Sequence, residues 1–381
     1  MSALPYSSEH AAFRETVRRF VETEVAPHHR QWEDEGAVPR ELWRKAGALG
    51  MLCPGLPEAY GGAGADFLYS AILVEEFAAA GATGPLFYLH SDIVAPYILH
   101  YGGEAQKRAW LPRMAAGEVI TGIAMTEPGA GSDLAGIRTR AERRGDDYLI
   151  SGQKIFISNG QIGDLFVVVA KTTPDAGAKG MSLFLVEADR PGFARGRNLD
   201  KMGMSAQDTS ELFFDQVRVP AGNLLGEEGA GFGYLMRELP QERLLVAIAA
   251  VASAEAAIRW TVDYVRERRA FGKPLSEKQT IRFTLAELHT ETTIGRAFLD
   301  RCLAQHLEGK LDTATASMAK YWLSELQFRV LDACVQLHGG YGYMREYPIA
   351  HAWADARVQR IYGGTTEIMK EIIGRTLIER R

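Results

Sequence analysis

The stretch Thr126-Glu127-Pro128-Gly129-Ala130-Gly131-Ser132-Asp133 follows an apolar segment, residues 119–125, that has the character of a β-strand. Its glycines carry no Cβ, so the backbone can approach a ligand closely. The Ser132 hydroxyl and the free backbone N–H groups of such a loop can bind phosphate or flavin oxygens. We therefore expect a ligand-binding loop directly after the first strand of a sheet.

The composition is that of a globular protein with a large core. The chain has 381 residues, of which 46% are hydrophobic and 24% are charged, enough for two or three domains. The formal net charge of -5 provides no general attraction to nucleic acid or to an anionic membrane. No uninterrupted apolar run has the length of a membrane span, and residues 1–8 lack a secretory signal pattern.

The cysteines and histidines indicate no metal site. Cys53, Cys302 and Cys334 are far apart and odd in number, so they match neither a disulfide framework nor zinc-ligand spacing. The histidines share no ligand-like spacing either. We expect three buried thiols in a protein of a reducing compartment.

Hydrophobic periodicity divides the chain into three parts. Residues 1–118 have helical spacing, residues 119–226 contain short β-rich runs, and residues 227–381 return to long helices. The strands follow one another without intervening helices, which favours an antiparallel sheet or barrel over a Rossmann unit. The predicted fold class is mainly α with a central β domain.

Two local predictions concern strand and helix boundaries. Residues 148–150 and 154–158 are candidate strands, with a turn predicted at Ser151-Gly152. A long helix is predicted to begin near Pro240, because proline suits the first turn of a helix. Further long helices predict a bundle, over residues 277–307, 313–337 and 366–379.

Several motifs together resemble the acyl-CoA dehydrogenase family, most closely its long-chain type. Residues 126–133 are similar to the first signature of that family. Four further segments match in the family's order and spacing, over essentially the whole chain: residues 154–159 (KIFISN), 268–273 (RRAFGK), 336–343 (QLHGGYGY) and 361–367 (IYGGTTE). Several long motifs in register are a strong signal, whereas one glycine loop would be weak.

The resemblance implies an N-terminal helical domain, a β domain and a C-terminal four-helix bundle. It also implies one FAD per subunit and a homotetramer. The reaction would be α,β-dehydrogenation of an acyl-CoA thioester, as in fatty-acid oxidation, with electrons passed to an electron-transferring flavoprotein.

The resemblance places the catalytic base away from its usual position. Most members carry a glutamate directly after the tyrosine that matches Tyr362, but this chain has Gly363 there. Long-chain and isovaleryl members have their base on a helix of the C-terminal bundle, and the matching residue is Glu242. We expect Glu242 in the first helical turn after Pro240, where the helix N-terminus lowers its pKa and burial raises it. Without the resemblance, such a glutamate is ordinarily a surface acid that complements the helix dipole.

Other residues receive roles from the same resemblance. Glu127 is expected to structure its loop rather than act as the base, and Glu367 to contact flavin or cap the last helix. The Gly363 backbone N–H, with a flavin ribityl hydroxyl, is expected to stabilise the developing oxyanion. Arg243 is expected near the mouth of the CoA site.

The remaining site residues divide between cofactor and substrate. Arg268 is expected to bind the FAD pyrophosphate bidentately, and in the family it comes from a neighbouring subunit, as do the residues matching 336–340. The cofactor residues are Met125, Thr126, Gly131, Ser132, Phe156, Ser158, Arg268, Phe271, Gln279, Gln336, Gly339, Gly340, Thr365 and Glu367. The substrate residues are Ser132, Arg243, Gly363 and Gly364.

Three alternatives to a straight-chain dehydrogenase remain open. The acyl chain could be branched or terpenoid, because sequence does not show cavity depth. The same fold also serves acyl-CoA oxidases and flavin monooxygenases, although the short chain and the retained base argue against these. A non-catalytic flavin- or CoA-binding subunit should lack a base at both positions. The expected compartment is a bacterial cytoplasm, or the mitochondrial matrix for a processed eukaryotic enzyme.

Overall fold

The N-terminal part of the computed structural model, which describes residues 4–379, is helical. Side-chain caps begin two of its helices, since Ser7 accepts a hydrogen bond from the His10 N–H and Asp66 accepts one from the Leu68 N–H. The helices are α1 (Ser8–Phe20), α2 (Ala26–Glu35), α3 (Arg40–Ala48), α4 (Phe67–Ala79), α5 (Ala95–Tyr101) and α6 (Glu104–Ala115). The π-helical turn Val21–Val25 joins α1 to α2, and a second one, Leu89–Val94, leads directly into α5.

A sheet of eight strands follows, in the order β6-β7-β3-β2-β4-β5-β8 with β1 paired to β4. Its strands are β1 (Thr121–Ala124), β2 (Arg140–Arg144), β3 (Asp147–Ser158), β4 (Leu165–Lys171), β5 (Met181–Glu187), β6 (Phe193–Asn198), β7 (Thr209–Pro220) and β8 (Leu224–Leu225). Most neighbouring strands are antiparallel, as predicted, but β4 pairs in parallel with β1 and, at one residue pair, with β2, so the sheet is mixed. The chain reverses direction between β2 and β3 and again between β3 and β4, so β4 runs in the same direction as β1.

The predicted turn at Ser151-Gly152 was also wrong, because β3 runs without interruption from Asp147 to Ser158. The register against β7 shifts between Ile150 and Gly152, which marks an irregularity of the β-bulge type. Gly152 has φ 151°, and a Cβ there would lie 2.4 Å from the Thr139 hydroxyl. The glycine therefore permits close packing inside a strand instead of ending it.

The C-terminal part is a helical bundle whose first two helices are separated by the short hairpin β9 (Arg269–Ala270) and β10 (Lys273–Pro274). Its helices are α7 (Gly231–Glu267), α8 (Gln279–Leu307), α9 (Thr313–His338), α10 (Pro348–Ala356) and α11 (Thr366–Ile378). The prediction that the first helix begins near Pro240 was wrong, since α7 already begins at Gly231 and Pro240 lies inside it. Tertiary packing overrides the proline, because most of α7 is buried between its neighbours.

Helix α7 is also the only described helix long and apolar enough to cross a membrane. In its most apolar window, 72% of the residues are buried inside the protein. A buried core helix meets the same length and composition test, so this feature is weak evidence for a span. The expected burial of Cys53, Cys302 and Cys334 is confirmed.

A buried ion pair fixes the loop after β1 to strand β3. Lys154 Nζ lies 2.9 Å from Glu127 Oε1 and donates a second hydrogen bond to the Met125 carbonyl at 3.0 Å. Glu127 also accepts hydrogen bonds from the backbone N–H groups of Arg138 and Thr139. Burial raises the pKa of Glu127, but Lys154 and these donors outweigh it and hold the pKa below its usual range. The geometry supports a structural role for Glu127, since none of these bonds leaves it free as a base.

We expect Glu127→Ala to destabilise the protein by about 3–5 kcal/mol, because it leaves the Lys154 ammonium buried without its partner. Thermal unfolding followed by circular dichroism measures the effect. The matched control is Glu142→Ala on β2, which removes only exposed pairs with Arg140 and Arg144 and should cost less than about 1 kcal/mol. Equal melting temperatures for the two variants would contradict the structural role.

Candidate active site

Glu242 lies in the fourth turn of α7, and its side chain is buried. Its Oε1 accepts a hydrogen bond from the Tyr97 hydroxyl at 2.8 Å. Tyr97 comes from α5 and is itself fully buried. The sequence-based placement of Glu242 in a first helical turn was wrong, and the helix N-terminus is three turns away. The helix dipole therefore contributes little to its pKa, because that effect is confined to the first turn.

Burial raises the pKa of Glu242 to about 7. The Tyr97 hydrogen bond and the Arg243 guanidinium oppose this shift, while the negative charge of Glu238 adds to it. Glu238 lies one turn earlier and accepts hydrogen bonds from His100 and Tyr101, at 2.9 and 2.7 Å. A carboxylate with a pKa near neutral is suited to take up and release a proton at physiological pH.

The Gly363-Gly364 loop lies against the same region of α7. Both glycines have positive φ, 65° and 99°, which their lack of a side chain permits. Arg243 Nε donates to the Gly363 carbonyl at 3.4 Å, and Lys320 Nζ donates to the Gly364 carbonyl at 2.6 Å. Two buried cations therefore hold consecutive carbonyl groups of the loop, which leaves its N–H groups free to face the other way.

Arg243 and Lys320 are both deeply buried, with exposed fractions of 3% and 0%. Burial, and to a smaller extent the neighbouring Arg243, lower the pKa of Lys320 to about 8 against the attraction of Glu325 and Glu367. The guanidinium of Arg243 contacts the Gly363 carbonyl and the Ser317 hydroxyl, and its placement near the mouth of the CoA site stays a prediction.

An apolar cavity extends from Tyr362, the residue before Gly363, along the surface of α7. It has about 770 Å³ of space, including its opening. Ala249 and Ser253 form its α7 wall and share a helix face with Glu242 by their spacing of seven and eleven residues. The opposite wall is mostly aliphatic and aromatic and includes Met51, Leu73, Val74, Phe77, Leu86 and Phe87.

The residues predicted for flavin on the β side lie together. The Ile155 N–H donates to the Thr126 carbonyl at 2.9 Å, which brings the loop against β3 next to Phe156. Phe156 has φ 61° and is 65% exposed, although it is a large aromatic residue. Ser158 lies two residues later on β3, and Met125 precedes Thr126. Gly131 and Ser132 are exposed on the same loop.

These residues fit an FAD ring system. An exposed aromatic side chain and a loop with open space are what a planar cofactor requires. A Cβ at Gly129 or Gly131 would meet no atom within 4 Å, so the protein itself does not require these glycines. A ligand that approaches the loop backbone would account for them.

A second set of predicted cofactor residues lies at the far end of the bundle. Arg268 lies at the C-terminal end of α7, with its guanidinium 5.3 Å from the Tyr341 ring centre. Phe271 is 93% exposed. Among residues 4–379, no hydrogen bond or ion pair joins Phe156 or Ser158 to this exposed set, which comprises Arg268, Phe271, Gln279, Gln336, Gly339 and Gly340.

Thr365 and Glu367 lie at the start of α11. The Thr365 hydroxyl accepts a hydrogen bond from the Ile368 N–H at 3.4 Å and is the helix cap. The capping role proposed for Glu367 therefore belongs to Thr365, and Glu367 is exposed in the first turn.

The sequence pattern missed Tyr97 and Lys320. Neither lies in a glycine-rich motif, and each has the spacing of an ordinary helix core residue. A lysine at a buried position of α9 was the one available signal, because lysine is almost never fully buried without a partner.

Comparison with known proteins matches nearly the whole chain to a single protein family. Three domain models match in order: acyl-CoA dehydrogenase N-terminal domain over residues 7–118, middle domain over 122–217 and C-terminal domain over 229–378. The long-chain specific acyl-CoA dehydrogenase, mitochondrial, of Rattus norvegicus is 56% identical over 375 residues, which cover 98% of this chain and 87% of that protein.

Solved structures give the same result. An acyl-CoA dehydrogenase from Geobacillus kaustophilus has a TM-score of 0.96 at 53% identity and covers 98% of this chain and 99% of that chain. A glutaryl-CoA dehydrogenase from Mycobacterium smegmatis in complex with FADH2 has a TM-score of 0.92 at 30% identity, with 98% and 96% covered. The predicted fold class and the FAD cofactor are confirmed. The chain belongs to the acyl-CoA dehydrogenase family of FAD-dependent oxidoreductases.

Proposed function

We propose that this protein oxidises long-chain saturated acyl-CoA thioesters to trans-2-enoyl-CoAs, with Glu242 as the base. The observation that carries the proposal is a buried carboxylate with a pKa of about 7, on the face of α7 that lines an apolar cavity and next to Arg243, which contacts the Gly363 loop. Relatives named long-chain specific acyl-CoA dehydrogenase, 56% identical to this chain, support the substrate class. An electron-transferring flavoprotein is the proposed electron acceptor.

Glu242 would remove the α-proton of the thioester. Its burial excludes water, so its negative charge is poorly solvated and reacts readily with a weakly acidic C–H group. Tyr97 holds one carboxylate oxygen and leaves the other free to face the substrate. FAD, which the loop after β1 and residues Phe156 and Ser158 of β3 would hold, would supply the acceptor for the hydride of the β-carbon.

The Gly363 N–H would stabilise the charge that develops on the thioester oxygen. Arg243 and Lys320 orient the loop through its carbonyls, so this donor is fixed before the substrate arrives. Pre-oriented donors of this type lower the barrier more than donors that must reorganise during the reaction.

The exposed set around Arg268 and Phe271 supports a proposed homotetramer. An almost fully exposed phenylalanine and a cation beside an aromatic ring are typical of a surface that another molecule covers. In this arrangement Arg268 would contribute to the FAD pyrophosphate of a second copy, because it has no contact with the flavin loop of its own chain.

We expect Glu242→Gln to slow flavin reduction by about 10²–10⁴-fold, since general bases contribute on that order. Anaerobic stopped-flow mixing with a long-chain acyl-CoA measures the loss of oxidised flavin absorbance. Glu238→Gln, one helical turn away, is the matched control and should retain turnover. Bleaching by Glu242→Gln at the wild-type rate would refute the assignment.

The rate of flavin reduction should rise with pH through about 7, because only the ionised Glu242 accepts a proton. The Tyr97 hydrogen bond favours the ionised form and lowers this pKa, so Tyr97→Phe should move the midpoint to higher pH. The limiting reduction rate, measured as a function of pH, gives both midpoints.

The control for this shift is Tyr101→Phe, which removes a hydrogen bond to Glu238 and leaves the Glu242–Tyr97 bond in place. A midpoint that moves equally in both variants would indicate a general effect on α5. A midpoint that falls in Tyr97→Phe would contradict the geometry.

A glutamate restored at position 363 should partly rescue Glu242→Gln. A Cβ at Gly363 would lie 4.0 Å from Val246, one turn after Glu242, so a side chain there has space near the base. Its positive φ costs a non-glycine residue roughly 1–2 kcal/mol, so we expect incomplete recovery.

The control for this rescue is Gly364→Glu in the same background, whose Cβ would lie 2.5 Å from Met369. Flavin reduction in the two double variants is compared under identical conditions. Recovery with Gly364→Glu but not with Gly363→Glu would show that the loop geometry is misassigned.

A further inference from the structure

The far end of the cavity contains two buried polar side chains that have no hydrogen-bond partner. Ser253 is 9% exposed and Gln327 is 2% exposed, and both line the cavity. Neither the Ser253 hydroxyl nor the Gln327 amide bonds to any residue between positions 4 and 379, and Gln327 Oε1 is fully enclosed. A buried polar group left unpaired costs about 1–3 kcal/mol, so this arrangement calls for an explanation.

The helix register places these two side chains at the same level. Helices α7 and α9 run parallel, and two bonds join residues that are each 74 positions apart: Arg243 to Ser317, and Tyr264 to the His338 carbonyl. Ser253 and Gln327 have the same separation of 74. They therefore lie opposite each other between the two bonds, and we call this pair the polar floor.

The other polar side chains that line the cavity are paired. Thr83 donates to Asp355 at 2.7 Å, Tyr362 donates to Gln359 at 3.2 Å, and Ser91 accepts from the Cys53 N–H at 2.9 Å. Asp92 accepts from Ser70 at 2.5 Å. Among the polar side chains that line the cavity, only the two of the polar floor therefore lack a hydrogen-bond partner within the described residues.

We infer that the polar floor binds a hydroxyl group on the distal part of the acyl chain. This inference rests on the proposed function, since it takes the cavity to be the acyl site. The Gln327 amide carries both an acceptor and a donor, and neither has a partner among the described residues, so a hydroxyl, which can donate and accept, matches it better than a ketone, which can only accept. Ser253 can then donate to or accept from the same oxygen.

The charges around the cavity favour this neutral group over a carboxylate. Its lining contains Asp92 and Asp355 but no lysine or arginine. A terminal carboxylate would be buried there without a cation, at a cost of several kcal/mol. Ser253 follows Glu242 by eleven residues, which places the polar floor roughly 16 Å from the base along α7. The hydroxyl therefore belongs far from the thioester.

The test compares acyl-CoAs of graded length with and without a terminal hydroxyl. For each chain length, kcat/KM of the hydroxylated substrate is divided by kcat/KM of the plain substrate. In wild type, this ratio should reach a maximum at one chain length, where it is about tenfold higher than for short chains. In Gln327→Met and in the milder Ser253→Ala, this maximum in the ratio should be lost. Thr261→Val, two turns further along α7 and outside the cavity lining, is the control and should retain it.

Binding of the enoyl-CoA products by calorimetry provides a readout without turnover. The hydroxylated product of matched length should bind wild type about tenfold more tightly than Gln327→Met, and plain product equally. A ratio that is flat with length, or unchanged in both variants, would overturn the inference and assign the polar floor to water. If no acyl-CoA reduces the flavin, the proposed function fails, and the calorimetric comparison still decides on the hydroxyl site.

Discussion

A carboxylate buried in the middle of an apolar helix is the constraint on which this active site depends. Within residues 4–379, Glu242 has a hydroxyl partner, Tyr97, but no ion-pair partner. Its charge is therefore stabilised only in part, and its pKa lies near neutral. A salt bridge would have lowered that pKa and weakened the base, as Lys154 does for Glu127. The two buried acids differ in function because only one of them has a cation.

The two buried cations of this region bind backbone carbonyl groups instead of the Glu242 carboxylate. Arg243 and Lys320 donate to the carbonyls of Gly363 and Gly364, where a loop of two positive-φ glycines would otherwise be free to change conformation. Burial makes such ion–dipole contacts stronger than they would be in water. These contacts would give the loop the rigidity that the proposed oxyanion donor needs, without neutralising the proposed base.

Much of the fold was predictable from the sequence, because the spacing of hydrophobic residues and the positions of turn residues determine where helices and strands form. The three zones, the Asp66 helix cap and the absence of a base at Gly363 could all be identified in the residues. Tertiary packing explains the failures. Pro240 lies inside α7 because the burial of most of that helix outweighs one lost hydrogen bond, and Gly152 lies within β3 because Thr139 packs against it.

Partners distant in sequence could not be predicted at all. Tyr97 reaches Glu242 across 145 residues, and Lys320 reaches Gly364 across 44, with no local pattern that would mark either residue. The same long-range packing determines the distance between Glu242 and the polar floor. Glu242 and Ser253 share one continuous helix, and parallel α9 holds Lys320 and Gln327 at matching levels. Because a helix is stiff, the distance from the base to the polar floor is set by residue spacing and not by loops. A substrate whose reactive carbons reach Glu242 therefore presents the same position of its chain to the polar floor each time it binds.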